Sequence, residues 1–511
     1  MRFIVLIAAA LTCATLVHGQ SAAPPAMRSH VERFSTPAMR AGRGEAEATA
    51  KLKINPDDAE ALNSRSLARM RLGRYGEAYD DLLRAVKLKP AYAEYQANLG
   101  YVLWKLGRAG EAIAAEQAAL KIDEKNYTAN YQLGRFLLRL GDAKQLTEAA
   151  THLRRALEIN PRPYEVRFEL LAAYRALGDI EHALGQVDLL QDARPSDPRV
   201  TYVAALLAAD RNDMKAAING FQEALNRDPT LYGAWQDLGL AYIKLNQWKE
   251  AAATFGELAQ RQADSVDAAY FHALALFNSG NSKGAESEAR RALRLNGGAV
   301  EAQTLLGIIL ASRGNANAEA SEALAQAVAL DPTNFDAQFY LGRIQYALKD
   351  YAGSVNSLRA AVKLNPRHPE ARFFLGTVLE LASDSTAAIA EYQELLRIDP
   401  NSVMGQLGLG ALLVKQGKVD EALTALNRAV ALDPQEFEAH WALGRALALK
   451  ERYVDAVESF QKAIAVAPER SDAHYQLGLA LKRLGRNEEA KQEFAIVERL
   501  NTQFRNSTNP K

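Results

Sequence analysis

Three aromatic doublets, Tyr270-Phe271, Phe339-Tyr340 and Phe373-Phe374, concentrate the side chains of this sequence best suited to recognition. Paired rings offer a large apolar area at low conformational cost, so they can anchor a peptide or stack on a sugar. Phe277, Arg343 and Tyr346 fall in the same stretch of chain, together with Leu274 and Ile308. A second group, Tyr101, Trp104, Lys105, Tyr131, Arg135 and Arg139, mixes rings with cations. Cations among rings can hold a carboxylate through charge-assisted hydrogen bonds. His440 and His474 stand 34 residues apart and could begin a metal site, but no third ligand accompanies them, so no metal is expected. Catalytic machinery is not expected either: there is no phosphate-cradling loop after a strand, no nucleophile elbow, no His-Glu-x-x-His and no cysteine pair. The chain reads as a binding protein without a cofactor, not as an enzyme.

These side chains need elements to carry them, and residues 232–265 show the element most clearly. Trp235, Leu238, Leu240 and Tyr242 return to one side at helical spacing, and Ala251, Ala252, Phe255 and Leu258 do so again. Asn246 lies between, where a residue tolerant of left-handed backbone can end the first helix. Two helices bury the face between them and leave their flanks bare, so the pair needs neighbours. A shift of 34 residues supplies them. Counting from Ala59, the eighth residue of the unit is small at Gly100, Gly134, Ala205, Gly239, Ala273, Gly307, Gly342, Gly376, Gly410, Gly444 and Gly478, and large at Leu171. The twentieth is small in all thirteen units, from Ala78 to Ala490 with Ser354 among the alanines. Helices that cross closely need small residues at the crossing, which gives both slots a steric cause. Proline recurs near the unit's end, at Pro90, Pro161, Pro195, Pro229, Pro332, Pro366, Pro400, Pro434 and Pro468, where it stops the second helix. Insertions of three residues around 142–145 and of one around 315–318 are expected in the turns between helices.

With Trp235, Leu238, Gly239, Tyr242, Ala251 and Phe255 in place, the unit resembles the tetratricopeptide repeat, a 34-residue helix-turn-helix. The resemblance covers residues 59–504 as thirteen units, starting at 59, 93, 127, 164, 198, 232, 266, 300, 335, 369, 403, 437 and 471. It implies an all-α fold, a right-handed α-solenoid whose first helices line a concave groove and whose second helices face outward. Two units depart from the Leu-Gly rule, the first with Arg65-Ser66 and the fourth with Leu170-Leu171, and less regular packing is expected there. In the family, positions two, five, six, nine, twelve and thirteen point into the groove. That places the doublets, with Phe277, Arg343 and Tyr346, on a partner-binding groove in units seven to ten. A ring at position five can equally pack adjacent helices, so the doublets carry this expectation rather than the single rings. The group from Tyr101 to Arg139 falls on the same face near the N-terminal end. Lys105 and Arg139 close their helices, where the dipole favours a cation in any case. The position-nine arginines, Arg135, Arg343 and Arg445, are the ones left to hold a carboxylate.

Residues 1–19 carry Arg2, an apolar run and small residues at Val17 and Gly19, the pattern of a secretory signal peptide. Cys13, the sole cysteine, would leave with it. An uncleaved anchor is the alternative. Residues 20–43 are expected to form a flexible lead-in, 44–58 a capping helix and 505–511 a polar tail. The 61 basic and 61 acidic residues balance, which argues against a nucleic-acid partner, and no later segment is apolar enough to span a membrane. Phe494, Ile496 and Val497 on the last helix are expected to be partly exposed and to permit self-association. The sequence therefore points to an exported, periplasmic or secreted scaffold that binds a protein or peptide in its groove and helps assemble an envelope complex. A glycan-binding or cell-wall-handling module using the same rings is the alternative.

Overall fold

The computed structural model describes residues 36–314 and 317–508. The signal segment with Cys13, the lead-in up to residue 35, and residues 509–511 of the tail lie outside the described residues. Among the described residues there are 27 α-helices and no strand. First helices start at Ala59, Ala93, Tyr127, Tyr164, Pro198, Tyr232, Val266, Val300, Phe335, Pro369, Val403, Phe437 and Ser471, the first residue of each predicted unit. The chain forms two compact units, divided after Thr254 within helix Trp248–Arg261.

Local chemistry makes the register. Each first helix stops at a residue in the left-handed region, Gly107 (φ 78) and Gly417 (φ 77) for example. The next amide then reaches back to a carbonyl five residues earlier, as Arg108 does to Leu103 at 2.9 Å, which satisfies a helix end that would otherwise be bare. Asn246 does this at φ 57, as its position predicts, and Lys349, Ser383 and Glu451 do it at φ 63, 65 and 60. Seven of the described second helices stop at an Asp or Asn whose carboxyl or amide oxygen accepts the amide two residues on, as at Asp228–Thr230 (2.9 Å) and Asp331–Thr333 (2.9 Å).

Packing explains the slots. A Cβ at Gly342 would come within 2.6 Å of Leu358, one at Gly376 within 2.7 Å of Tyr392, and one at Gly444 within 2.6 Å of Phe460. The glycine thus lets a large side chain of the second helix lie directly on the first. The small residue at the twentieth position, alanine or Ser354, is buried in every unit. The fourth residue of the first helix ties the preceding turn: Trp235, Gln338, Arg372, His440 and His474 donate to the carbonyls of Pro229, Pro332, Pro366, Pro434 and Pro468 at 2.8–3.3 Å. Consecutive first helices pack against one another in both compact units, whereas consecutive second helices scarcely touch among the described residues. First helices therefore form the inner face.

Several details differ from the sequence reading. The cap helix is Pro37–Ile54, beginning inside the expected lead-in, because Thr36 accepts the Met39 amide and Pro37 takes the first helical position. The three-residue insertion lengthens helix Ala143–Ile159 instead of the turn, since Asp142 caps it by accepting from Gln145. The last helix, Asn487–Thr508, takes in the start of the expected tail. Leu170 and Leu171 are fully packed, in one cluster with the small Val187. Arg65 forks onto the buried Asp81, in a cluster that also joins Arg69, Arg74, Glu77 and, from the cap helix, Glu45.

One unit breaks the packing rule. The residue that lies on the glycine is apolar elsewhere, but over Gly100 it is Glu116, 0% exposed, with neither carboxylate oxygen hydrogen-bonded. Burial holds this carboxyl well above its ordinary range, and no neighbouring charge offsets it.

Candidate functional site

In the compact unit beginning at Phe255, the rings of three first helices make a seam. Phe339 meets Tyr340 (5.3 Å) and Phe374 (6.0 Å) edge-on, and Phe374 meets Phe373 in the same way (5.7 Å). Phe373 continues to Tyr392 at 6.2 Å, and Tyr346 lies 6.4 Å from Tyr351. Towards the earlier units, Tyr270 meets Phe271 edge-on at 5.2 Å.

The predicted residues separate by depth. Phe339 is 3% exposed, locked between Phe335, His368 and the two neighbouring doublet rings, so it belongs to the core and cannot serve as an anchor on the surface. Phe271 is turned towards packing, stacked on the buried Phe255 at 5.2 Å. Tyr270, Phe277, Tyr340, Tyr346, Phe373 and Phe374 are half-buried, with part of each side chain reachable. Burial pushes the Tyr270 and Tyr340 hydroxyls up to about 12.

Charge is distributed unevenly along this seam. Arg343 lies over Phe374 (4.8 Å), Phe339 and Tyr340 (both 5.5 Å), and its guanidinium forms no ion pair among the described residues. Asp336, two turns earlier on the same helix, is half-buried and has no hydrogen-bond or ion-pair partner there. Burial holds its carboxyl above the ordinary range, with His368 pulling the other way. Glu301 and Asp336 both act on the Tyr270 hydroxyl, and Asp336 and Glu370 both act on that of Tyr340. These carboxylates were missed in the sequence, although the acids at the second position of four successive units, Asp267, Glu301, Asp336 and Glu370, were there to be read.

The second predicted group is engaged by its own chain. Trp104 stacks flat on Phe136 (4.3 Å, 5°), Lys105 lies 5.6 Å over Tyr101, and Arg135 lies 5.2 Å over Tyr131. Arg135 also pairs with Glu169 at 3.2 Å, so the carboxylate it was expected to hold is internal. Arg139 is exposed. Further along, Tyr202 donates to Asp237 at 2.6 Å and Arg175 forks onto Asp210. A Cβ at Gly233 would stand 2.9 Å from the Tyr202 hydroxyl, so glycine there makes room for the hydroxyl. Arg445 lies exposed over Trp441 at 4.7 Å.

His440 and His474 serve their turns, and His474 also bonds Glu493 through Nδ1 at 2.6 Å. Among the described residues no three metal-ligating side chains come together, and no helix is long and apolar enough to cross a membrane. Gly280-Asn281-Ser282-Lys283-Gly284 does spell the Gly-x-Ser-x-Gly of a nucleophile elbow, which the sequence reading passed over. It is the turn between two helices, with Asn281 capping helix Ser282–Leu295, and no strand leads into it. At the C-terminal end Phe494 lies on Gly478, where a Cβ would come within 2.6 Å, and 5.9 Å from Tyr475. It is a packing ring, and Ile496, Val497 and Leu500 are half-buried beyond it.

Models described as tetratricopeptide repeat match residues 99–162, 272–334, 304–358, 350–403 and 407–468, with further repeat models over 67–107, 142–207, 208–277 and 459–492. No curated protein matches the chain. Among solved structures it is similar to YrrB, described as a TPR protein with an unusual peptide-binding site, at 22% identity over 36% of this chain and 95% of that one (TM-score 0.33). It is also similar to MamA from Desulfovibrio magneticus RS-1, at 24% identity over 33% and 96% (TM-score 0.32). The APC/C hetero-tetramer Cut9–Hcn1 is matched at 15% identity over 88% and 98% (TM-score 0.43).

Proposed function

Because the chain belongs to the tetratricopeptide repeat family, we propose that it is an exported scaffold that binds a protein or peptide segment on the inner face of helices 266–381 and helps assemble an extracytoplasmic complex. The observation that carries this reading is the half-buried seam of Tyr270, Tyr340, Phe373 and Phe374, which is aromatic and flanked by Asp336 and Arg343, neither of them in an ion pair among the described residues. Export is supported by residues 1–19. The edge-on meeting of these rings, with Arg343 over two of them, leaves few free ring faces for sugars, which favours a peptide over a glycan. The half-buried Ile496, Val497 and Leu500 offer a face for self-association.

Purification of the mature protein from its native host with whatever remains bound, followed by mass spectrometry, tests both parts. A mature chain beginning near Gln20 and a co-purifying protein are expected. That protein should be lost from a Tyr340→Ala/Phe374→Ala variant with an unchanged circular dichroism spectrum. Retention by the variant would refute the site, and capture of cell-wall fragments instead would establish the glycan reading. A monomer by light scattering, unaltered in Val497→Glu, would refute self-association.

A further inference from the structure

The inner face between Tyr270 and Tyr340 carries more acid than the chain itself neutralises. Glu301, Asp336 and Glu370 occupy the same second position of three consecutive first helices, Val300–Ser312, Phe335–Ala347 and Pro369–Leu381. Asp336 stands one helical turn before Tyr340 on the same helix, and its charge acts on the Tyr340 hydroxyl together with Glu370 and against Arg343, and on that of Tyr270 together with Glu301. A helix dipole favours an acid at this register, and that alone explains an exposed one. It does not explain why Asp336 is drawn half out of water without a hydrogen bond or counter-ion, an arrangement that costs free energy until a cation arrives.

The chain's own cations do not fill the role. Arg343 is seven residues along the helix, roughly 10 Å by helix geometry, and is held over Phe374 and Tyr340 without an ion pair. His368 acts on Asp336, but no hydrogen bond or ion pair joins the two, and its Nδ1 is taken up as the cap of helix Pro369–Leu381, accepting the Ala371 amide at 3.2 Å. A carboxylate flanked by phenol rings is the setting in which an ammonium or guanidinium gains both an ion pair and a cation–π contact.

We infer that this seam takes a basic side chain, a lysine or arginine of an extended partner segment, seated between Tyr270 and Tyr340 on Asp336, with apolar neighbours of that residue on Phe373 and Phe374. The inference rests on the groove reading above and adds the chemistry of the occupant. Charge complementarity decides it: these helices carry three carboxylates without an ion pair among the described residues, against one guanidinium already lying on rings.

Panning a random-peptide library against the full mature chain tests it, with Asp336→Asn, Glu301→Gln and Tyr340→Ala/Phe374→Ala as parallel targets of matched thermal stability. Peptides joining lysine or arginine to aromatic or aliphatic residues should be enriched. A representative peptide should lose at least tenfold in affinity with Asp336→Asn, lose less with Glu301→Gln, and weaken as salt rises. Enrichment of apolar peptides without basic residues would overturn the inference and leave the groove standing. Basic peptides that bind Asp336→Asn as well as the native chain would overturn the assignment to Asp336. Equal retention by the Tyr340→Ala/Phe374→Ala variant would overturn both readings.

Discussion

Two stretches of inner face, built on the same register, treat their polar groups in opposite ways. Across helices 164–244 the tyrosine at position five, Tyr202, is bonded to Asp237 of the next unit, and Arg175 is forked onto Asp210. Across helices 266–381 the tyrosine at position five, Tyr270, feels the charge of Glu301 and Asp336, yet neither Asp336 nor Arg343 forms an ion pair among the described residues. The first stretch uses its charges to fasten successive units together, so little is left over for a ligand. The second leaves them unsatisfied at some cost in stability, the pattern expected where a partner completes the site. Position within the repeat says which side chains face inward. What the neighbouring unit offers them decides whether they are structural or available.

Substitutions can break that contrast, and the largest effect belongs to neither stretch's polar groups. Phe339→Ala should lower stability by about 3–5 kcal/mol, as for a fully buried ring, read as a falling denaturant midpoint. A stable variant that merely lost its partner would place the ring on the surface after all. Tyr340→Ala with Phe374→Ala, at half-buried rings, should cost less stability than Phe339→Ala and weaken partner binding by about 2–4 kcal/mol, the range of interface hot spots, measured by calorimetry.

Glu116→Leu, in the first compact unit, should stabilise by about 2 kcal/mol at neutral pH through burial of an apolar side chain. The sign with pH follows from burial raising the folded-state carboxyl above its ordinary 4.5. Stability is full below that value and declines as pH rises past it towards the folded-state value, because the unfolded chain releases the proton first. The gap between Glu116→Leu and the native chain should therefore widen from pH 4.5 to pH 7, and a constant gap would mean that the carboxyl is solvated.

Tyr202→Phe should cost about 1–2 kcal/mol by leaving Asp237 without its donor, with no change in partner affinity. Asp336→Asn should cost almost nothing in stability. An equal cost for the two would erase the distinction between the stretches. Smallest of all, Glu451→Gly should add up to about 1 kcal/mol by relieving left-handed backbone, checked as a small rise in Tm.

Much of the fold was legible because the repeat states it thirteen times: the helix starts, the left-handed turn at Asn246 and the crossing slots all follow from side-chain size and backbone preference. The cap helix starts inside the expected lead-in because Pro37, preceded by Thr36, is a helix start as well as a loop signal. The site was harder. Phe339 and Tyr475 share position five, yet one is 3% and the other 46% exposed. The difference lies in what covers them, since Phe335, His368 and Phe374 close over Phe339. No single unit encodes that cover. Asp336 was overlooked for a related reason: an acid at the second helical position looks like a dipole complement until its burial is known.

The pair of helices Ala93–Lys105 and Ala109–Ile122, with Glu116 pressed on Gly100, has a consequence for how the molecule comes apart. A repeat stack is close to a one-dimensional chain of couplings, in which each unit is held only by those next to it. A buried, unbonded acid at one crossing makes that link the least costly to open, and dearer or cheaper according to the acidity around it. Amide hydrogens of these two helices should exchange ahead of their neighbours in the same compact unit, and a protease should find its first foothold there. A residue wholly inaccessible in the folded chain would then govern where the fold first becomes accessible.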